Sequence, residues 1–204
     1  MESLELWLVR HGQSTFNAEK RIQGQANAPL SELGIRQAKR LSERLAEHKF
    51  DHVHTSDLQR ALQTAEIVCP DLPLIKDSRL REVSLGILQG TLETEHSEEQ
   101  AAMLEHFRAD TENHRVPEGE SFTEVRERVI AWQRDLPDAG KTIVFTHGGV
   151  ISTVLRTLMG QPSGWTWALN PTGITRLLFT ADTITLQTLN DHAHLYGFED
   201  LRSY

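Results

Sequence analysis

Apolar positions in this chain follow two rhythms: short unbroken runs, and stripes that recur every three or four residues. Residues 4–9, Leu-Glu-Leu-Trp-Leu-Val, form the kind of near-continuous run found in a strand covered on both faces. Residues 31–47 predict a helix with Ile35, Ala38, Leu41 and Leu45 on its buried face. A short strand is expected at 52–55. After it Asp57 can cap a helix carrying Leu58, Ala61, Ala65 and Val68, which Pro70 stops. Ser121 and Glu124 are spaced as a capping box, and Val125, Val129, Trp132 and Leu136 follow at helical spacing. Residues 142–146 are a second apolar strand. His147-Gly148-Gly149 then opens a helix holding Val150, Ile151, Val154, Leu155 and Leu158, which Gly160 and Pro162 close. Residues 174–179 and 183–189 read as a hairpin turned at Ala181-Asp182. This alternation predicts an α/β fold: a three-layer sandwich whose central sheet is mostly parallel with an antiparallel edge, covered by helices on both faces.

Composition narrows the function classes. With 204 residues, 25% charged and 38% hydrophobic, the chain has the makings of one well-buried core. Its apolar runs reach only about four residues, so no membrane partner is expected. A net charge of −8 argues against a nucleic-acid partner. The single cysteine, Cys69, excludes an internal disulfide and a cysteine-rich zinc site, and it points to a reducing, cytoplasmic setting. No signal peptide is expected, since the first strand begins almost at once. No repeat or linker divides residues 1–204, so a single domain is expected. One stretch stands apart: residues 91–118 hold eight acids against two bases, −6 of the chain's −8. It reads either as a solvated helical excursion or as a short acidic lid over a site.

The candidate chemistry gathers at strand ends. In open α/β sheets, ligands bind beyond the carboxyl ends of the strands. The first strand ends in Arg10-His11-Gly12. The second runs into Ser56-Asp57, with Arg60 in the first turn of the next helix. The last parallel strand ends in His147-Gly148-Gly149 at a helix N-terminus. Two arginines, two histidines and a helix dipole on one sheet edge suit a phosphoryl group.

These residues carry a family resemblance. Leu8-Val9-Arg10-His11-Gly12-Gln13-Ser14, with Asn17 just after it, resembles the signature of the histidine phosphatase superfamily, in its phosphoglycerate-mutase-like branch. The stretch from Pro29-Leu30-Ser31 through Gly34 to Gln37-Ala38 is similar to the family's approach to its first long helix. Ser56-Asp57-Leu58, Arg60-Ala61 and Gln63-Thr64-Ala65 resemble its second-arginine motif. Leu80-Arg81-Glu82, with Gly86 and Gly90, resembles its proton-donor segment, although Gln89 stands where a glutamate is frequent. Gly119-Glu120-Ser121, Thr146-His147-Gly148-Gly149 and Asn190 with His194-Leu195 complete the series, in order, over nearly the whole chain. The resemblance implies that His11 is the nucleophile, passing through a phosphohistidine. It implies that Arg10, Arg60 and His147 hold the phosphoryl oxygens, with Asn17 and Gly148 beside them. Glu82 would protonate the leaving oxygen and then activate water, which requires a carboxyl able to carry a proton near neutral pH. No metal or other cofactor is implied, because guanidinium and imidazolium groups supply the charge.

The same intermediate can pass its phosphoryl group to water or to a second hydroxyl. The chain lacks the Arg-His-Tyr-Gly stretch that mutases of this family carry after Gly86, and its acidic segment offers only Arg108 and Arg115 to a bisphosphate. The expectation is therefore a metal-independent phosphomonoester hydrolase acting on a small phosphorylated metabolite. The alternatives are mutase-type transfer and a non-catalytic phospholigand-binding role. A homodimer is left open. His192 and His194 could form a metal pair if they share a strand face, but a structural role for His194 is the expectation. His48, His52, His54, His96, His106 and His114 are expected at the surface or in caps, and Trp165 and Trp167 in packing.

Overall fold

A computed structural model describes residues 3–161 and 167–197. Six strands form one sheet: β1 (Leu4–Arg10), β2 (His52–Thr55), β3 (Leu74–Lys76), β4 (Gly140–Thr146), β5 (Ile174–Phe179) and β6 (Ile184–Asp191). Their spatial order is β3-β2-β4-β1-β5-β6. The first four in that order are parallel, β5 is antiparallel to β1, and β6 returns beside β5. This is the expected mixed sheet. Parity along the strands explains the two covered faces. Leu6, Leu8 and Val144 face a core made with α5 (Phe122–Gln133) and α6 (Gly148–Met159). Trp7, Val9, Ile143 and Phe145 face the opposite core, with α2 (Glu32–Leu45) and α3 (Gln59–Val68). Two more helices, α1 (Thr15–Glu19) and α4 (Glu98–Ala109), lie in the connections, and α4 seats Leu104 and Phe107 in the first core.

Several local expectations change in the folded chain. Ile35 is on the exposed side of α2, whose buried stripe is Gly34, Gln37, Ala38, Leu41 and Leu45. The cause is close packing: a Cβ on Gly34 would run into the Gln13 carbonyl, so the start of α2 turns its small side toward the loop after β1. Asp57 does not cap α3. Leu58 stands at the cap without a side-chain bond, and Asp57 instead accepts from Arg81 Nε and Nη2 at 2.7 and 2.5 Å. His54 is buried rather than superficial, and Trp132 Nε1 donates to its Nδ1 at 3.3 Å. The capping box at Ser121 and Glu124 forms as expected, and Gly160 closes α6 at φ 59°. Trp167 packs against the first core; Trp165 and Pro162 lie outside the described residues. His192 and His194 follow β6 rather than sharing one of its faces, and each bonds within the protein, to Asn190 O (2.8 Å) and Thr172 Oγ1 (2.9 Å). No helix among the described residues is long and apolar enough to cross a membrane.

Candidate active site

Strand register brings the site together. Arg10 is level with Thr146, and Thr55 with Phe145, so β1, β4 and β2 end side by side. His11 N–H donates to Thr146 O and Ser56 N–H to Phe145 O, both at 2.9 Å, extending the parallel ladders past the strand ends. His11, Arg60 and His147 are thereby buried at one edge, at 3%, 0% and 0% exposure, deep enough that charge there is strongly felt. The two imidazole centroids are 5.0 Å apart. Gly12 lets the loop after β1 pack against the start of α2, because a Cβ on it would stand 2.7 Å from Gly34 O.

His11 is held in one tautomer. Its Nδ1 donates to Gly12 O at 2.6 Å, leaving Nε2 bare, and Arg60 Nε donates to that nitrogen at 3.2 Å. Burial, then the charges of Arg60 and Arg10, hold its pKa well below the ordinary 6.5, against a smaller opposing pull from the Gly12 carbonyl. The ring is therefore neutral at pH 7 and able to attack. Arg60 is braced by Ala26 O (2.9 Å) and Gly24 O (2.7 Å), and burial lowers its pKa to about 10, which leaves it charged. Arg10 Nη1 is anchored on Leu169 O. Glu82 lies across the site, its Oε2 accepting from Gly149 N at 3.1 Å and its Oε1 from Val83 N at 2.9 Å. Gly149 leaves room for that carboxylate, since a Cβ would stand 2.2 Å from Glu82 Oε1 and displace it. Gly148 sits beside Arg10, where a Cβ would be in ordinary contact with Nε at 3.9 Å. Asn17 closes the α1 capping box, its Oδ1 accepting from Ser14 N (3.1 Å) and Oγ (2.9 Å).

A bare imidazole nitrogen, two buried or anchored guanidinium groups and a facing carboxylate can take a phosphoryl group onto His11 and neutralise its charge. Comparisons with known proteins identify the family. The family model for the histidine phosphatase superfamily (branch 1) matches residues 6–192. The chain belongs to the histidine phosphatase superfamily. It is 38% identical over 165 residues to the protein of Yersinia pestis (strain Pestoides F) named probable phosphoglycerate mutase GpmB, covering 78% of this chain and 77% of that one. Among solved structures, Bacillus stearothermophilus YhfR superposes with a TM-score of 0.87 at 30% identity, over 94% of this chain and 99% of that one. The alpha-ribazole phosphatase from Shigella flexneri superposes with a TM-score of 0.84 at 28% identity, over 92% and 96%.

The site is also braced by residues to which the sequence assigned no role. Ser56 Oγ lies 2.9 Å from His147 Nε2. Thr64 Oγ1 accepts from Gly12 N at 3.1 Å, and Gln37 Oε1 from Gln13 N at 2.8 Å. Thr172 N–H donates to Arg10 O at 2.9 Å. The Glu82 carbonyl is gripped by Gln25 Nε2 (3.0 Å) and Arg128 Nη2 (3.1 Å), while Glu120 pairs with Arg128 at 3.0 Å and accepts from Ser84 N at 2.9 Å. Gln89, the departure from the family pattern, accepts from Gln25 N and Leu85 N, so it ties two loops together. Ser56, Thr64, Gln37 and Glu120 carried a signal in the sequence as members of motifs, and Gln89 as a departure from one. The rest act across long sequence separations.

Proposed function

We propose that the protein hydrolyses a phosphomonoester of a small metabolite through a phosphohistidine at His11. The observation that carries the covalent step is the bare, neutral Nε2 of His11 beside Arg60. In this reading Nε2 attacks phosphorus and the bond to the leaving oxygen breaks as Glu82 gives that oxygen a proton. Arg10, Arg60 and His147 bear the charge of the transferring group, with Asn17 and Gly148 at its edge. Glu82 then takes a proton from water, which attacks the phosphohistidine and releases phosphate. No metal or cofactor is given a role. Residues 1–204 are read as one domain with residues 91–118 as an acidic lid, working in the cytoplasm, where the buried Cys69 thiol stays reduced.

Water is favoured over a second hydroxyl by the state of that lid. Both of its arginines are engaged by carboxylates, Arg108 by Glu93 (2.6 and 3.0 Å) and Arg115 by Glu124 (3.1 Å). A bisphosphate intermediate held during turnover needs more positive charge than this. Mutase-type transfer is the second reading, favoured by the name of the 38%-identical relative. The test uses phosphoglycerates and other phosphomonoesters in EDTA, following released phosphate and isomerised product together, with brief labelling to trap the intermediate. The expected result is phosphate release and an acid-labile, base-stable phosphoprotein that His11→Ala abolishes. Isomerisation outrunning hydrolysis would establish the mutase, and label on another side chain would overturn the mechanism.

A further inference from the structure

We propose that Ser56 is a positioning residue that fixes the tautomer of His147, so that His147 meets the phosphoryl group as a hydrogen-bond donor through Nδ1. The inference deepens the phosphoryl-transfer reading above and rests on it for what His147 meets. Ser56 and His147 are both fully buried. Ser56 Oγ lies 2.9 Å from His147 Nε2, and it already accepts from Leu58 N–H at 3.3 Å. A hydroxyl has one proton to give. Among the described residues, His147 Nε2 is its acceptor. The hydroxyl therefore donates, Nε2 is bare, and a neutral ring carries its proton on Nδ1. Neutrality follows from burial, with Arg60, Arg128 and Arg10 adding positive charge nearby.

The other nitrogen supplies the second observation. His147 Nδ1 is buried and has no partner among the described residues. With the proton there, it is a donor inside a cationic site, and a phosphoryl oxygen matches it. With the proton on Nε2, Ser56 Oγ would accept twice and its own hydrogen would be unmatched, while a bare Nδ1 would face the anion with a lone pair. The two histidines are thus set oppositely: a carbonyl pins His11 Nδ1–H and leaves Nε2 unprotonated, and a hydroxyl pins His147 Nε2 and leaves Nδ1–H to donate. The fold places Ser56 for this, because its N–H is bonded to Phe145 O at 2.9 Å, in the strand that ends just before His147.

The test reads the resting tautomer by long-range proton–nitrogen NMR of histidine-labelled protein, with His147→Gln to assign the signal. Orthovanadate affinity and kcat/KM are then compared for wild type, Ser56→Ala and Ser56→Thr. Wild type should show a protonated Nδ1 and a bare Nε2 at His147. Ser56→Ala should lose that single-tautomer pattern, with vanadate affinity and kcat/KM each falling roughly tenfold, about the worth of one net hydrogen bond. Ser56→Thr, which keeps the hydroxyl, should restore the tautomer. A bare Nδ1 in wild type overturns the inference, whatever the variants do. So does a Ser56→Ala protein that is less stable yet keeps both the tautomer and the vanadate affinity, since a purely structural serine would behave so. The tautomer is read without turnover. A protein that shows Nδ1–H at His147 but hydrolyses no phosphomonoester therefore fails the functional reading alone.

Discussion

Glu82→Gln separates the proton donor from its neighbours, and the structure says what else the substitution changes. Both carboxylate oxygens accept backbone N–H groups, from Val83 at 2.9 Å and Gly149 at 3.1 Å. An amide can present only one oxygen, so either rotamer turns its NH₂ toward an N–H. One donor is then left unmatched, at a cost of about 1–3 kcal/mol. In a chain of this size that lowers Tm by roughly 2–12 °C, toward the low end because Glu82 is only half-buried and water can relieve the mismatch. The chemical effect is separable from this loss. An alkoxide leaving group needs a proton as it departs, whereas p-nitrophenolate is stable as an anion at neutral pH. In the pre-steady-state burst, phosphohistidine formation from a sugar phosphate should slow by roughly 10²–10⁴-fold, a typical general-acid contribution, and formation from p-nitrophenyl phosphate much less. The burst is the right measurement because Glu82 is also assigned to the water step, which steady-state rates mix in. The variant must bind vanadate about as well as wild type for the comparison to count. Equal losses for both substrates would remove Glu82 as the acid. Glu120, the nearest substitute by motif, is already paired with Arg128, so such a result would count against the whole acid–base scheme.

Two further predictions concern pH and the acidic segment at residues 91–118. His11, His54, His147 and His194 all have folded pKa values below the unfolded 6.5, the last at about 4, burial being the main cause in each. The unfolded chain therefore binds more protons below pH 6.5, and stability is lost as pH falls through that value, by up to about 1.4 kcal/mol per pH unit for each histidine. Urea unfolding at pH 5 should show a clearly lower free energy than at pH 7, and His194→Gln should reduce the difference; equal stability at the two pH values would refute the reasoning. Because Arg108 and Arg115 are engaged by carboxylates, kcat/KM for a monophosphate should equal or exceed that for its matching bisphosphate, and a large preference for the bisphosphate would restore the mutase reading.

Features set by near neighbours were legible in the sequence. The Ser121–Glu124 capping box, the Gly160 stop and the apolar strands around Val9 and Val144 depend on spacing within a few residues, and the folded chain keeps them. Arg10, His11, Arg60 and His147 were legible because they cluster at or just after strand ends, which local pattern marks, whereas Glu82 and Asn17 stood out only through the ordered family motifs. What the tertiary structure decided were the partners. Ile35 turned outward because Gly34 had to meet the Gln13 backbone. Asp57 went to Arg81 rather than to its own helix, His54 went inside to Trp132, and Glu120 was taken by Arg128. Ser56 gained its meaning only when β2 and β4 lay side by side and brought its hydroxyl to a histidine 91 residues away. A side chain's capacity to donate or accept is written in its residue type, but which group satisfies it depends on burial and on contacts between distant segments, and those exist only once the sheet has formed.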